Sequence, residues 1–309
     1  EKKADAVILV DFPDFNLKLA KALKKAGLRV IYYVSPQLWA WRRYRIRTIE
    51  KYVDLLLAIL PFEKDWYAER GITHVEYVGN PLAKEVVSVL TKSQFCEKHG
   101  LDPRKPIVAL LGGSRHKEIS RILPVMFETA ELMAQKNSEI QFVNALAPNR
   151  KPAEVDLAAG KVFKDSKDLR AKIVTVFDET REALHAADAA AVTSGTATLE
   201  TAILGTPLVI VYKTSGLNYK MLRPLINVPH FGLINLIARE RLAVILQAQQ
   251  EARGPVRVAQ ALGGGARVLV PAGQQQRAHL AVGAGRDGDE PAGVRAQQVA
   301  IDVGDAAVQ

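Results

Sequence analysis

The stretch IVALLGGSRHKEISRILPVMFETAELM, residues 107–133, decides the fold. Its apolar run at Ile107–Leu111 is typical of a buried strand. A Gly-Gly-Ser-Arg loop follows, and then a run with apolar residues at helical spacing from about Glu118 to Met133. A strand, a tight loop and an amphipathic helix in succession are typical of a parallel sheet that helices cover on both faces. The stretch therefore predicts one unit of an α/β fold.

The alternation of short apolar strands and amphipathic helices extends on both sides of this stretch. Later strands are predicted at 140–146, 173–176, 189–192 and 208–211. Earlier strands are predicted at 6–12, 30–34, 55–60 and 75–78. In the first helix, Asn16 is the predicted N-cap and Gly27 the predicted end. Two such series predict two doubly wound α/β domains that face a cleft.

The domain boundaries follow from the places where this pattern changes. The predicted divisions are a partial first domain at 1–80, a linker region at 81–106, a second domain at 107–238 and an atypical tail at 239–309. The tail contains no Ser, Thr, Lys, Asn, Phe, Tyr, Trp, Met or Cys. Such a composition fits either translation of a GC-rich gene in a shifted frame or a natural low-complexity linker. In both cases we expect little packed core there.

The overall composition limits the class of protein. With 309 residues, of which 48% are hydrophobic and 24% charged, the chain is typical of a globular protein with two domains. The single cysteine, Cys96, excludes an internal disulfide and makes a reducing cytosol the simplest compartment. The formal net charge of +9 favours anionic partners, which include phosphate esters, nucleic acid and an acidic membrane surface.

Asp11 is the first candidate for chemistry. It follows the first predicted strand, and open parallel sheets place ligand and catalytic groups at the carboxyl ends of their strands. A carboxylate there can act as a general base on a hydroxyl group. The alternative is structural: Asp11 caps a turn, and Asp14 begins the next helix through its interaction with the helix dipole.

Gly113, Ser114 and Arg115 form a first candidate loop for binding phosphate. They lie between a strand and a helix, where a close backbone, free helix N–H groups and a cation suit an anion. The loop matches neither the dinucleotide-binding fingerprint nor the P-loop.

A second candidate loop, Ser194-Gly195-Thr196, opens a short helix after the strand at 189–192. Its amide and hydroxyl groups suit a diphosphate. Glu200 lies on the first turn and a half of this helix, where its carboxylate can accept hydrogen bonds from ribose hydroxyls. The alternative is an ordinary capping box with Glu200 as the N3 partner, and both interpretations stay open.

A loop with Trp39, Trp41 and Arg42 precedes a helix whose basic residues share one face. The basic face comprises Arg43, Arg47 and Lys51, and the predicted core face comprises Ile46, Ile49 and Val53. A solvated surface accounts for the cations. Two exposed tryptophans in a loop instead favour contact with an anionic lipid surface or an RNA backbone.

The sequence contains no motif that is typical of metal-dependent or serine-hydrolase chemistry. The six histidines show no metal-ligand spacing with one another or with Cys96, and no G-x-S-x-G elbow is present. The sequence therefore predicts neither a metal site nor Ser–His catalysis.

Taken in order, these pieces resemble the lipid-A-disaccharide synthase family over residues 5–238. The matching segments are DFPDFN at 11–16, YYVSPQLWAWR at 32–42, LPFEKDWY at 60–67, VGNPL at 78–82, LLGGSR at 110–115, TSGTATLE at 193–200 and FGLINLIA at 231–238. The run SPQLWAWR followed by ILPFE is the most specific part of the resemblance. The sequence departs from the family pattern at Asn80, Gly112, Ile234 and Arg239.

The resemblance implies a glycosyltransferase B fold with two Rossmann-like domains, of which the second holds most of the UDP. It implies the transfer of diacylglucosamine from UDP-2,3-diacylglucosamine to 2,3-diacylglucosamine 1-phosphate, with inversion at the anomeric carbon. No metal and no cofactor are expected, because the UDP-sugar is a substrate. The chain begins at what resembles a third or later strand of the family, so its first domain is truncated at the start. We therefore expect weak or no activity.

The resemblance also assigns roles to residues. Asp11 is implied to be the base that deprotonates the 6-hydroxyl of the acceptor. Arg115 and the helix that starts at Ser194-Gly195-Thr196 are implied to neutralise the leaving diphosphate. The implied substrate-binding residues are Asn16, Trp41, Arg42, Gly113, Ser114, Ser194, Gly195, Thr196, Glu200 and Asn235.

The implied setting is the cytoplasm, peripheral on the inner membrane of a Gram-negative-type bacterium. The implied partners are the two acylated sugars and the anionic membrane surface, without nucleic acid, and a homodimer is left open. Two alternatives remain from the residues alone. One is another UDP-sugar transferase of the same fold, and the other is a non-catalytic nucleotide- or RNA-binding protein, favoured by the net charge.

Overall fold

Two parallel β-sheets with helices form the fold in a computed structural model of the chain. The residues that the structure describes are 4–163, 172–212, Asn235, Ile237, 244–247, Val258 and Leu262. They fall into two compact units, the first ending at Ala83 and the second beginning at Lys84. The prediction of an α/β fold with two parallel sheets is confirmed.

The first unit contains a four-stranded parallel sheet whose strand order follows the chain, β1-β2-β3-β4. The strands are β1 Ala6–Val10, β2 Arg29–Tyr33, β3 Leu55–Ala58 and β4 Val75–Tyr77. The helices are α1 Pro13–Lys25, α2 Ile46–Tyr52 after a 3₁₀ turn at Arg43–Arg45, and α3 Glu63–Ala68. A short helix, α4 Leu82–Glu85, spans the end of this unit.

Helix α1 begins earlier than the sequence pattern predicted. Its N-cap is Phe12, and Pro13 at the first position fixes a helical backbone without needing an N–H partner. The prediction that Asn16 is the N-cap is therefore wrong. The Asn16 side chain is buried within the helix and donates to the carbonyl oxygens of Val10 at 3.0 Å and Asp11 at 2.8 Å. It thereby ties the helix to the end of β1.

The core of the first unit includes the predicted apolar face of α2. Ile49 is fully buried and Val53 nearly so, whereas Arg47 and Lys51 are exposed, as the pattern predicted. Trp39 is also buried, so the prediction of two exposed tryptophans in one loop is wrong for it. Its ring packs edge-on against Phe62, with the ring centroids 5.2 Å apart.

The second unit contains a six-stranded parallel sheet of order β10-β9-β8-β5-β6-β7. The strands are β5 Ile107–Leu111, β6 Gln141–Leu146, β7 Ile173–Phe177, β8 Ala189–Thr193, β9 Leu208–Tyr212 and β10 Val244–Gln247. The helices are α5 Lys92–His99, α6 His116–Lys136, α7 Pro152–Val162, α8 Thr180–Ala186 and α9 Thr196–Ile203. The sheet grows outwards from β5 in both directions, which is the doubly wound arrangement.

Helices cover both faces of the second sheet, as the continuous apolar strands predicted. Residues of α6 and α7 pack on one face, with Phe127 and Phe142 among the fully buried side chains. Residues of α5 and α8 pack on the other face, with Phe95, Cys96 and Leu184 buried there. Burial raises the pKa of the Cys96 thiol.

Of the residues in the atypical tail, 239–309, the few that the structure describes contribute to this core. Strand β10 pairs in parallel with β9, with Val244 opposite Val209. Val258 and Leu262 are buried against the α6 face of the sheet. The composition of the tail hid these contacts, because scattered apolar residues among Ala, Gly and Arg give no clear period.

Glu63 is the one carboxylate among the described residues that is fully buried in the first unit. Its Oε1 accepts from the indole Nε1 of Trp39 at 3.0 Å, and its Oε2 accepts from the Leu60 N–H at 3.1 Å. Burial outweighs these hydrogen bonds and raises the pKa of Glu63 from 4.5 to about 7. The Glu63 side chain therefore anchors Trp39 in the core, two residues before the exposed Trp41 in the same loop.

Glu63→Gln should change how the stability of the first unit depends on pH. The folded state binds the Glu63 proton more tightly than the unfolded state, so its contribution is complete below about pH 4.5 and is lost as pH rises through about 7. Relative to the variant, the wild type should lose about 3 kcal/mol of unfolding free energy over this range. Urea titrations followed by tryptophan fluorescence report this unit, because all three tryptophans lie in it.

Glu76→Gln is the matched control, since Glu76 is an exposed carboxylate on β4 that pairs with Lys64 at 2.7 Å. Its pH dependence should match that of the wild type. Parallel pH curves for the wild type and Glu63→Gln would contradict the assignment.

Candidate functional site

The candidate site lies where the strand order of the second sheet reverses. Strands β5 and β8 are neighbours there, and their following loops leave in opposite directions, which opens a crevice at the carboxyl ends of the strands. The buried Thr193 hydroxyl donates to the Leu111 carbonyl oxygen at 2.9 Å and so joins the ends of the two strands. The two candidate phosphate loops follow directly from these ends.

A cavity of about 670 Å³ occupies this crevice. Loops after β5, β6, β7 and β8 line it, together with Val87 and Val89 from the segment between α4 and α5. Its size lies in the range of pockets that hold small organic ligands. All lining residues belong to the second unit.

The carboxylate of Glu118, on helix α6 directly after the Gly-Gly-Ser-Arg loop, binds the N–H groups of that loop. Glu118 Oε2 accepts from the N–H groups of Ser114 at 3.0 Å and Arg115 at 3.1 Å. Its Oε1 accepts from the Arg115 guanidinium at 2.8 Å, and the Arg115 side chain is largely exposed. Gly113 has φ +107°, which lets the loop pass close to Glu118. The loop thus already holds one anion, the Glu118 carboxylate.

The second candidate loop is arranged differently. Helix α9 has Gly195 as its N-cap, and no side chain caps its first turn. Of the two interpretations left open, the capping box with Glu200 as the N3 partner is therefore wrong. Ser194, Gly195 and Thr196 are exposed and line the cavity. A helix start with exposed N–H groups and a positive dipole end suits an anion.

Arg181 belongs to the site and was missed by the sequence analysis. It lies in the first turn of α8, after β7, and lines the cavity. Its Nη2 lies 3.5 Å from Glu200 Oε1, and its Nη1 donates to the Glu85 carbonyl oxygen at 2.6 Å. Its position in the first turn of the helix that follows a strand of the parallel sheet is the signal that could have identified it.

Asp11 and Asn16 lie together in the first unit. Asp11 is exposed with φ +47°, and its carbonyl oxygen accepts from the Tyr32 hydroxyl at 2.6 Å as well as from Asn16. Among the described residues, no partner of the Asp11 carboxylate is seen. The sharp turn therefore presents this carboxylate to solvent at the end of β1.

Trp41 and Arg42 also lie together, and ion pairs join their loop to α1. The Arg42 guanidinium lies 4.1 Å from the centre of the Trp41 ring and 2.6 Å from Asp14 Oδ1. Arg45 pairs with the same carboxylate. Arg45 and Arg42 together hold the pKa of Asp14 below its usual value. Asp14 is thus an ion-paired carboxylate three residues after Asp11.

Asn235 is almost fully buried and is not among the residues that line the cavity. The other residues of the 231–238 segment, except Ile237, lie outside the described residues. The predicted residues Gly113, Ser114, Arg115, Ser194, Gly195, Thr196 and Glu200 do line one cavity together.

Comparison with known families decides the family of this chain. The profile described as lipid-A-disaccharide synthetase matches residues 1–262. The chain belongs to the lipid-A-disaccharide synthase family. The match extends past Ala238, the last residue of the resemblance found in the sequence segments.

Curated members of the family are similar over most of this chain. The lipid-A-disaccharide synthase of Nitrosococcus oceani is 43% identical over 259 residues, which are 84% of this chain and 64% of that protein. The enzyme of Syntrophus aciditrophicus is 42% identical, over 89% of this chain and 68% of that protein. The enzyme of Myxococcus xanthus is 40% identical over 98% of this chain and 76% of its own length. The chain thus spans about two thirds of the length of the first two relatives.

Solved structures share the fold at much lower identity. A UDP-N-acetylglucosamine 2-epimerase superposes with a TM-score of 0.53 at 13% identity, over 90% of this chain and 68% of that chain. The UDP-GlcNAc 2-epimerase of Methanocaldococcus jannaschii gives 0.52 at 13% identity, over 84% and 70%. These similarities support the glycosyltransferase B fold of this synthase family member and carry nothing about its substrate.

Two further observations concern metal binding and membrane crossing. Within the described residues, no three or more His, Cys, Asp or Glu side chains lie close enough together to hold a metal ion. No helix in the same residues is both long and apolar enough to cross a membrane.

Gly113→Ala should destabilise the second unit of this chain. At φ +107° any side chain strains the backbone, and a Cβ would lie 2.6 Å from Glu118 Oε2 and 2.7 Å from Glu118 Cβ. We expect a loss of about 2 kcal/mol, measured by calorimetric unfolding, because strain and the loss of the Glu118 hydrogen bonds add.

Gly160→Ala provides the control. Gly160 lies within α7 with nothing within 4 Å of an added Cβ, so this variant should gain roughly 0.5–1 kcal/mol. Equal stability of the two variants would show that the Gly113 loop tolerates a side chain.

Proposed function

We propose that this chain is a glycosyltransferase unit that joins UDP-2,3-diacylglucosamine to 2,3-diacylglucosamine 1-phosphate, with inversion and release of UDP. The observation that carries the proposal is the uncapped start of α9 beside the Gly-Gly-Ser-Arg loop, in one cavity at the reversal of strand order. The family of the chain supports the choice of substrates. Another UDP-sugar transferase of this fold would use the same cavity and different acceptors.

The second unit supplies the nucleotide part of the proposed site. The diphosphate lies at the start of α9, where the N–H and hydroxyl groups of Ser194, Gly195 and Thr196 donate to its oxygens. Glu200, one turn further along α9, accepts hydrogen bonds from the ribose hydroxyls. Asn235, implied by the resemblance to lie near the nucleotide, is buried and does not line the cavity, so it is assigned no contact with the nucleotide.

Leaving-group charge is stabilised by fixed groups of the protein. The bond to the anomeric carbon breaks and leaves negative charge on the UDP diphosphate. The positive end of α9 and the exposed Arg115 guanidinium stabilise that charge where it develops. Arg115 reaches the diphosphate by exchanging its Glu118 partner for a phosphate oxygen.

Asp11 is the proposed general base, which takes the proton of the acceptor 6-hydroxyl as that oxygen attacks the anomeric carbon. The alternative carboxylate, Asp14, is a weaker base because Arg45 and Arg42 lower its pKa. Asn16 and Tyr32 hold the Asp11 backbone in place. These bonds fix the backbone that carries the Asp11 carboxylate and leave the carboxylate itself exposed.

We also propose that the first unit contacts the cytoplasmic surface of the inner membrane. Exposed aromatic side chains, among them Trp41 and Tyr44, lie beside exposed Arg43 and Arg47. Aromatic and cationic side chains together favour the interface of an anionic bilayer. A homodimer stays a prediction, which light scattering of the purified chain checks.

The nucleotide proposal predicts that UDP stabilises the chain. At 100 times its dissociation constant, UDP should add about 2.7 kcal/mol to the stability of the second unit, which raises its unfolding temperature by a few degrees. Differential scanning calorimetry of the 309-residue chain measures this shift. Poly-U at the same nucleotide concentration should give none, and a shift with poly-U alone would favour an RNA-binding protein instead.

The catalytic proposal predicts different effects for the two carboxylates after β1. Asp11→Asn should lower the transfer rate by a factor of about 10²–10⁴, because a general base contributes that much. Its UDP affinity should stay unchanged, since Asp11 belongs to the first unit. Asp14→Asn is the matched control and should keep most of the rate, because exposed ion pairs contribute little.

Transfer is measured with radiolabelled donor and the 309-residue chain. A larger loss in Asp14→Asn than in Asp11→Asn would make Asp14 the base. UDP binding without any transfer by the wild type would confine the proposal to the nucleotide-binding unit.

A further inference from the structure

Arg181 stands between two parts of the cavity wall that are distant in the sequence. Helix α8, which carries it, packs against α9, which carries Glu200. Its guanidinium also reaches the backbone of Glu85, at the end of α4 and 96 positions earlier in the chain. The side chain is about one third exposed and faces the cavity.

The Glu85 contact fixes the guanidinium independently of any ligand. Arg181 Nη1 donates to the Glu85 carbonyl oxygen at 2.6 Å, a short bond from a charged donor. Since the guanidinium is planar and rigid, holding one nitrogen sets the direction of the other N–H groups. Arg181 Nη2 then lies 3.5 Å from Glu200 Oε1.

The proposed contact of Glu200 with the ribose depends on the orientation of its carboxylate. A carboxylate can accept two hydrogen bonds from neighbouring ribose hydroxyls only when its plane is held in one orientation. The long Glu side chain otherwise rotates freely, and ordering it on binding lowers affinity. A cation beside Glu200 also offsets its repulsion of the nearby diphosphate.

We propose that Arg181 is a positioning residue, which holds the Glu200 carboxylate in the orientation that accepts hydrogen bonds from the ribose of the nucleotide. This inference rests on the proposed nucleotide-binding function. Arg181 contacts Glu200 through Oε1 and leaves Oε2 and further lone pairs for the ribose. It therefore sets the preference for ribonucleotides and leaves phosphate binding to the α9 start.

Arg181→Gln separates positioning from direct phosphate binding. Isothermal titration of the 309-residue chain with UDP, 2′-deoxy-UDP and pyrophosphate gives three affinities for each variant. The wild type should prefer UDP to 2′-deoxy-UDP by about tenfold, the value of one hydrogen bond to a charged group. In Arg181→Gln this preference should fall to about twofold or less, while pyrophosphate affinity changes by less than twofold.

A double-variant comparison shows whether Arg181 acts through Glu200. Glu200→Gln alone should lose the same preference, and Arg181→Gln combined with Glu200→Gln should lose no more than either single variant. Arg181→Lys keeps the charge but cannot hold both partners in one plane, so it should lose the preference too and serves if Arg181→Gln does not fold. Arg104→Gln is the control, because Arg104 precedes β5 at the opposite ends of the strands and pairs with Asp102.

Two results would overturn the inference. One is an unchanged preference for UDP in a folded Arg181 variant. The other is an equal loss of affinity for all three ligands, which would mean that Arg181 binds the phosphates directly. A wild type that binds none of the ligands would instead reject the proposed nucleotide site.

Discussion

The pairing of β5 with β8 is the constraint on which the rest of the second unit depends. Leu111 lies opposite Val192, and Thr193 and Asp188 add hydrogen bonds to β5 at the two ends of the pair. Residues about 80 positions apart thereby become neighbours, and both candidate phosphate loops leave from the same edge of the sheet. Without this pairing, the loops at 112–115 and 194–196 would share no cavity.

In the first unit, contacts between side chains and loops are the main constraint. Its candidate residues lie on loops that follow the strands, and they do not line the cavity of the second unit. Two contacts hold these loops. Asn16 binds the backbone at the end of β1, and buried Glu63 binds the Trp39 indole below the loop. Asp14 then joins α1 to that loop through Arg42 and Arg45. The exposed carboxylate of Asp11 and the exposed ring of Trp41 therefore lie on segments that hydrogen bonds and ion pairs connect to the rest of the unit.

Local sequence patterns predicted the strands well and the buried polar contacts poorly. Every described strand before residue 213 lies within two residues of its prediction, because short apolar runs in parallel sheets end where burial ends. The N-cap at Asn16 failed because Pro13 starts the helix earlier. Burial of Trp39 depends on Glu63, and the orientation of Arg181 depends on Glu85, partners 24 and 96 residues away. No local period contains such information.

The carboxylate of Glu118 gives the cavity an internal counter-ion. It occupies the N–H groups of Ser114 and Arg115 and pairs with the Arg115 guanidinium. A phosphate that takes these donors competes with a carboxylate that stays attached beside it, so part of the positive charge of the site is already neutralised before nucleotide binds. Fewer mobile salt ions are then released than at a bare cationic site, and the affinity for nucleotide should vary only weakly with ionic strength.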